Sequence, residues 1–148
     1  HVPGIKVVMP ATPNDVQGLF ISSMEDNNPV MFIDDRWCYD EIGPVEMEPK
    51  PIELGKAEIT KEGKDLTIIT YSYLVHEALK TSKILKQDAI DIEIINLRTI
   101  KPWDREAVIK SCQKTKRVME PFLPINTIIA FILLCVVIYV GLNDNDKL

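Results

Sequence analysis

Apolar and polar positions follow two periods along the first 120 residues, and the switches between the periods mark the elements. The run 5–9, Ile-Lys-Val-Val-Met, is short, β-branched and closed by Pro10, which suits a strand of a parallel sheet covered on both faces. A helix is expected next. Thr12 is a good N-cap, Pro13 fits the first turn, and Asp15 stands three residues on, where a carboxylate faces the free amides and the positive end of the dipole. Val16, Leu19, Phe20 and Ser23 recur at helical spacing, residues 25–29 stop the helix, and 30–33 reads as a second strand returning beside the first. Strand, helix and strand in this order make a βαβ unit.

Residues 38–53 break the pattern, with Pro44, Pro49, Pro51 and five carboxylates among few apolar positions, the composition of an extended, solvated connection. A domain boundary belongs there. Beyond it the alternation resumes, with strands at 56–60 and 65–70 around a turn at 62–64 and a helix over 73–86. That helix offers Leu74, Ala78, Leu79, Ile84 and Leu85 as its inner face. A strand at 90–97, a helix at 104–113 and the start of a strand at 117–119 complete an α/β pattern of mostly parallel sheets. The units expected are therefore 1–37, a linker at 38–54, 55–120, and a tail at 121–148.

The tail is different in kind. Residues 121–143 carry no charge and 128–142 are continuously apolar, so 122–142 has the length and hydrophobicity of a membrane span. Lys114, Lys116 and Arg117 precede it, and Asp144 and Asp146 follow, as the positive-inside bias would arrange. Three accounts stay open: a membrane anchor, a buried hydrophobic hairpin, and translated non-coding or frame-shifted sequence.

Composition narrows the function more than the fold. A net charge of −5 and no basic cluster interleaved with aromatics argue against nucleic acid as a partner. Cys38, Cys112 and Cys135 are odd in number and far apart, without CxxC pairing or histidines at ligand spacing, which points to a reduced compartment and no metal-thiolate centre. The chain opens on His1, already close to a buried-strand pattern and without the order of a signal peptide. A piece of something longer is the expectation.

The segments His1 to Pro13 followed by Asp15, Gly18 and Leu19, then Glu25-Asp26-Asn27-Asn28-Pro29-Val30, Leu54-Gly55-Lys56-Ala57, Glu62-Gly63-Lys64-Asp65, Val75-His76 with Ala78-Leu79, and Leu97-Arg98-Thr99-Ile100-Lys101-Pro102-Trp103-Asp104 resemble the beta subunits of thiamine-diphosphate-dependent 2-oxoacid dehydrogenases. The relatives in view act on pyruvate, branched-chain 2-oxoacids or acetoin. The resemblance covers about residues 1–120. It implies the end of a pyrimidine-binding domain joined to the first half of a transketolase-like C-terminal domain. It also implies a parent enzyme that oxidatively decarboxylates a 2-oxoacid and passes the acyl group to lipoamide. Implied partners are an alpha subunit, a second beta subunit and the lipoyl acyltransferase core, in the cytoplasm or the mitochondrial matrix. Thiamine diphosphate and Mg²⁺ would be bound in the intact heteromer and not by this chain alone, the diphosphate and its Mg²⁺ by the alpha subunit. The carboxylate that activates the cofactor's aminopyrimidine would lie upstream of His1, so no catalytic or cofactor-binding residue is assigned here.

One site transfers by position, a structural K⁺ held at Ser23, Met24, Asp26 and Asn28. Carbonyls freed at a helix end, an Asp and an Asn are hard oxygen ligands suited to such an ion, and a plain helix stop explains the same residues. His1 reads as a solvated terminal histidine, His76 as a partly buried one bonded to a neighbouring carbonyl. Arg98 and Asp104 read as salt-bridging and capping residues, and Tyr71 and Ser72 carry no assigned role although they follow a strand at its carboxyl end. After Glu120 the chain departs from the family, which continues into a glycine-rich loop and an amphipathic helix. The competing reading is a non-catalytic, membrane-tethered or interaction protein that keeps a transketolase-like fragment.

Overall fold

The computed structural model describes residues 3–120. The expectations for 121–148, the membrane span at 122–142 among them, lie outside the described residues. Two small mixed sheets carry three helices. Strand β1 (Lys6–Val8) leads into helix α1 (Pro13–Glu25) and strand β2 (Val30–Phe32), with β1 and β2 parallel, so the expected βαβ unit is present. Thr12 and Asp15 close a reciprocal capping box, the Asp15 amide donating to Thr12 Oγ1 at 3.1 Å and the Thr12 amide to Asp15 Oδ2 at 3.2 Å. Of the expected helix face only Leu19 is fully buried. Val16 and Phe20 are exposed, Phe20 meeting Phe32 edge-on with ring centroids 6.0 Å apart.

The second sheet runs β3 (Glu58–Lys61), β5 (Ile92–Asn96), β4 (Leu66–Thr70), β7 (Val118–Met119) across. Strand β4 crosses through helix α2 (Tyr73–Leu85) to the parallel β5, and helix α3 (Arg105–Thr115) returns the chain to β7 on the other side of β4. Every residue of β5 is buried, as a central strand requires. The core packs Ile68, Ile92 and Ile94 against Ala78, with Leu66, Leu79, Leu85 and Met119 around them. Ile84, expected on the inner face of α2, is exposed, and the fully buried Val75 and the buried Ser82 take part of that face instead. The i, i+3, i+4 pattern admitted two neighbouring stripes, and the sheet selected the one centred on Val75, Ala78 and Ser82.

Three of the five strand pairings among the described residues are parallel, as expected, and two are antiparallel: β3 runs against β5, and β6 (Thr99–Lys101) runs against β1. Strand β6 was not foreseen, because three residues flanked by Arg98 and a cis Lys101–Pro102 bond give no readable alternation. Its pairing makes the first sheet β2-β1-β6, so the segment before the connection and the segment after it share one ladder. Between 39 and 57 there is neither helix nor strand. Part of that stretch lies on α1: Ile52 N donates to Gly18 O at 3.1 Å and Ser22 Oγ to Ile52 O at 2.6 Å.

Candidate functional site

The densest polar chemistry sits where the N-terminus of α1 meets the carboxyl end of β5. Once the capping box has used part of the Asp15 carboxylate, its remaining lone pairs reach 81 and 83 residues down the chain. Oδ2 accepts from Asn96 Nδ2 at 3.0 Å and from the Ala11 amide at 3.3 Å, and Oδ1 accepts from Arg98 Nε at 2.6 Å. Asp15 and Asn96 are fully buried. The second arm of Arg98 reaches Glu58 Oε2, 2.9 Å away on the rim. Arg98 adopts φ 59°, in the left-handed region, at a cost of about 1–2 kcal/mol for a residue with a Cβ. Its main chain is bonded on both sides, Arg98 N donating to Asn96 Oδ1 at 3.2 Å and Arg98 O accepting from Met9 N at 2.8 Å, while the preceding Leu97 N donates to Thr70 O at 2.8 Å.

Beside this knot, His76 on α2 shares 2.7 Å between Nε2 and Ala11 O, and its Nδ1 faces Glu41 Oε2 at 3.6 Å. The expectation of a partly buried histidine bonded to a carbonyl is met. The carbonyl, however, belongs to a residue 65 positions away. Asp104 caps α3 through Ala107 N at 3.0 Å and also accepts from Ala57 N at 3.1 Å. Burial works against its ionisation, but these amides outweigh burial and hold the carboxyl below the usual carboxylate range. A cleft of about 480 Å³ opens between α1, the connection and β3, lined by Thr12, Glu41, Val45, Glu58, His76 and Arg98 among others.

A carboxylate that activates an aminopyrimidine must present a free oxygen to a ring nitrogen. Asp15, buried behind the Arg98 that lines this cleft, has both oxygens engaged, so it fits a lock between elements and not thiamine diphosphate. The residues expected to hold potassium gather at the end of α1, where Asp26 is the C-cap. There Asp26 Oδ2 pairs with Lys6 Nζ, and Oδ1 accepts from Asn28 N at 2.8 Å and Asn28 Nδ2 at 3.0 Å. The Lys6 contact first, then the Asn28 bonds, pull the Asp26 carboxyl down from the usual 3.8 to about 2. Ser23 Oγ donates back to Leu19 O at 2.6 Å, and Met24 is exposed. Asp26 is thus committed to Lys6 and Asn28, and Ser23 to the Leu19 carbonyl, which leaves main-chain carbonyls and the Asn28 amide oxygen as the oxygens for an ion.

Two features escaped the sequence reading. Asn96 and Glu93 are polar residues inside the apolar run of β5, and that interruption was the available signal. Glu93 is fully buried, one oxygen paired with Lys114 and the other without a hydrogen-bond partner among the described residues, while Lys114 also binds Glu62. Ser72, at the turn from β4 into α2, is buried with φ 51° and lies 3.9 Å from Cys38 Sγ. Burial pushes the Cys38 thiol up, away from thiolate chemistry.

Residues 55–120 match the family of transketolase C-terminal domains. Over 116 residues the chain is 47% identical to "Pyruvate dehydrogenase E1 component subunit beta" of Bacillus subtilis (strain 168), covering 78% of this chain and 36% of the relative. It is 40% identical over 118 residues to "2-oxoisovalerate dehydrogenase subunit beta" of the same strain, covering 79% and 36%. "Acetoin:2,6-dichlorophenolindophenol oxidoreductase subunit beta" of Cupriavidus necator is 40% identical over 119 residues, covering 80% and 35%. The chain therefore spans about a third of the length of these relatives. Among solved structures, "Split gene transketolase, inactive beta4 tetramer" superposes with a TM-score of 0.70 at 25% identity, covering 80% of this chain and 39% of that one. A transketolase from Pichia stipitis shares the fold at a TM-score of 0.56 and 15% identity, covering 82% and 18%.

Proposed function

The chain belongs to the transketolase-like beta subunits of the 2-oxoacid dehydrogenases, a thiamine-diphosphate-dependent family, and on that premise we propose that it is the part of such a subunit that joins the pyrimidine-binding domain to the C-terminal domain. The observation that carries the reading is the spread of 40–47% identity over relatives named for pyruvate, acetoin and 2-oxoisovalerate. A piece that shaped the substrate pocket would follow one substrate, whereas a piece that builds the scaffold resembles all three. The division at 1–37, 38–54 and 55–120 is part of this reading, supported by the stretch without helix or strand between 39 and 57.

The whole enzyme would decarboxylate a 2-oxoacid and hand the acyl group to a lipoyl arm, with thiamine diphosphate supplying the carbanion chemistry when bound. Residues of this chain position and do not react. Asp15, Asn96 and Arg98 lock the α1 unit to the second sheet, Asp104 ties α3 to the end of the connection, and His76 fastens α2 to Ala11. Mg²⁺ and the diphosphate fall to an alpha subunit, a second beta subunit completes the assembly, and the lipoyl acyltransferase core receives the product. Potassium at residues 23, 24, 26 and 28 would rest on main-chain oxygens, with Asp26 and Asn28 shaping the loop. The compartment is the cytoplasm or the mitochondrial matrix, a reading supported by the free thiols of Cys38 and Cys112 among the described residues.

The test is a chimera in which residues 1–120 replace the matching third of the Bacillus subtilis pyruvate dehydrogenase beta subunit, co-expressed with its alpha subunit. Pyruvate-dependent decarboxylation by an assembled chimera supports the proposal. A chimera that folds, as judged by its Tm, yet neither binds the alpha subunit nor turns over pyruvate or 3-methyl-2-oxobutanoate sinks it.

A further inference from the structure

Residues 34–48 carry six carboxylates, Asp34, Asp35, Asp40, Glu41, Glu46 and Glu48, against Arg36 alone. The net of −5 in these 15 residues equals that of the whole chain. The same stretch exposes Trp37 (62%), Tyr39 (72%), Ile42 (100%) and Met47 (96%). Large apolar side chains this open, falling within eleven residues of chain and interspersed with charge, have the composition of protein docking surfaces, where aromatics and Met stand at the centre with polar groups around them.

The local chemistry leaves the strip unsatisfied. Asp35 accepts from Trp37 N at 3.0 Å, Glu46 pairs with Lys50 at 2.9 Å, and Glu41 faces His76. Among the described residues Asp34, Asp40 and Glu48 have no cation beside them. The Trp37 ring stands between the Arg36 guanidinium, 5.3 Å from its centroid, and the Tyr73 ring at 6.3 Å, with Lys80 5.6 Å beyond over Tyr73. One edge of the strip is therefore an ordered aromatic ladder. Its other edge opens into the cleft of about 480 Å³, whose walls include Glu41, Glu46 and Glu58 together with Pro44 and Val45. That cleft has the walls to take an aliphatic stem ending in a cation.

We propose that residues 34–48 dock a basic polypeptide segment of a partner protein, whose Lys or Arg side chains meet these carboxylates while its apolar side chains cover Trp37, Ile42 and Met47. Charge complementarity selects this occupant. The chain's own residues 121–143 are uncharged and cannot neutralise the strip. A second copy brings a net charge of −5, so it approaches against repulsion. The surface stands on the chain's own residues, so an inactive chimera would leave it untouched.

The probe is a synthetic amphipathic peptide of repeated Lys-Leu-Leu-Lys, titrated into the full chain on a Trp103→Phe background, where Trp37 is the sole tryptophan. Binding is expected to blue-shift its emission and to weaken as salt rises. Ile42→Ser with Met47→Ser lowers affinity about tenfold, since each removes apolar contact. Asp34→Asn, Asp40→Asn and Glu48→Gln together lower it about tenfold and flatten the salt dependence. Glu106→Gln with Ile109→Ser, on α3, leaves it unchanged. All these side chains are partly or wholly solvent-facing, and an unchanged Tm checks that the variants fold. The proposal is overturned if a Glu-for-Lys peptide binds as tightly or if the strip variants bind like the parent. It is overturned as well if Trp37 shifts on raising the protein concentration alone, which means a second copy, or on deleting 121–148, which means the tail.

Discussion

Arg98→Met should be among the most damaging single substitutions that leave the backbone unhindered. Met keeps the aliphatic stem and meets the same left-handed backbone as Arg, so the change isolates the guanidinium. What it removes is the ion partner of a fully buried carboxylate, held at 2.6 Å with the Arg98 side chain only 14% exposed. Breaking a buried pair from one side costs about 3–5 kcal/mol, because the surviving charge stays desolvated. Asp15 keeps the Ala11 and Thr12 amides and the Asn96 amide group, which places the loss at the lower end, about 3 kcal/mol. The Glu58 contact adds little, since an exposed pair contributes roughly 0–1 kcal/mol. In a urea titration followed by far-UV circular dichroism, a loss of about 3 kcal/mol moves the midpoint down by roughly 1–2 M. Asp15→Asn removes the charge that Arg98 neutralises, so the double variant should be more stable than the two single losses predict, by at least about 1 kcal/mol. A loss below about 1 kcal/mol for Arg98→Met, or strict additivity in the double variant, would refute the claim that the buried pair locks the two sheets together.

Five more outcomes follow from the geometry. Asp26 has its folded pKa depressed from 3.8 to about 2, so its stabilising contribution is full above 3.8 and fades as pH falls toward 2. The urea midpoint of the parent should fall faster than that of Asp26→Asn across this window, and parallel curves contradict the Lys6 pairing. In a full-length subunit, Asp26→Ala should lose more Tm in potassium buffer than in a large organic cation, equal losses meaning a helix stop without an ion. Gly18→Ala would normally strengthen a helix by about 0.5–1 kcal/mol. Here the new Cβ would stand 2.5 Å from Ile52 Cγ1 and 3.0 Å from Lys50 O, so a net loss of about 1–3 kcal/mol is expected, partly recovered by adding Ile52→Val. Gly63→Ala, whose Cβ would meet the Ile92 and Glu93 backbone at 2.2 Å, should lower Tm more than Gly18→Ala. Lys114→Met strands the buried Glu93 and should lower Tm, with Glu93→Gln in the same chain recovering part of the loss.

The sequence by itself determined the local elements and their caps. Thr12, Pro13 and Asp15 announce the start of α1, Asp104 announces α3, and the Ile-rich run 90–97 announces a strand, because caps and periodicity are set by neighbours within a few residues. The family resemblance was equally legible, carried by short segments in fixed order. Partner choice among strands belonged to the tertiary structure. Strand β6 is three residues long and is defined by the β1 ladder it joins, and β3 takes β5 as its ladder partner across the sheet instead of its chain neighbour β4. The face of α2 likewise waited for the sheet, which chose Val75 and Ser82 over Ile84. Asp15 shows the division most sharply. As a capping carboxylate it can be read from its distance to Thr12, but its burial against Asn96 and Arg98 depends on groups more than 80 residues away. No local pattern encodes such a contact, since the desolvation that makes it matter exists only once the two sheets have closed around it.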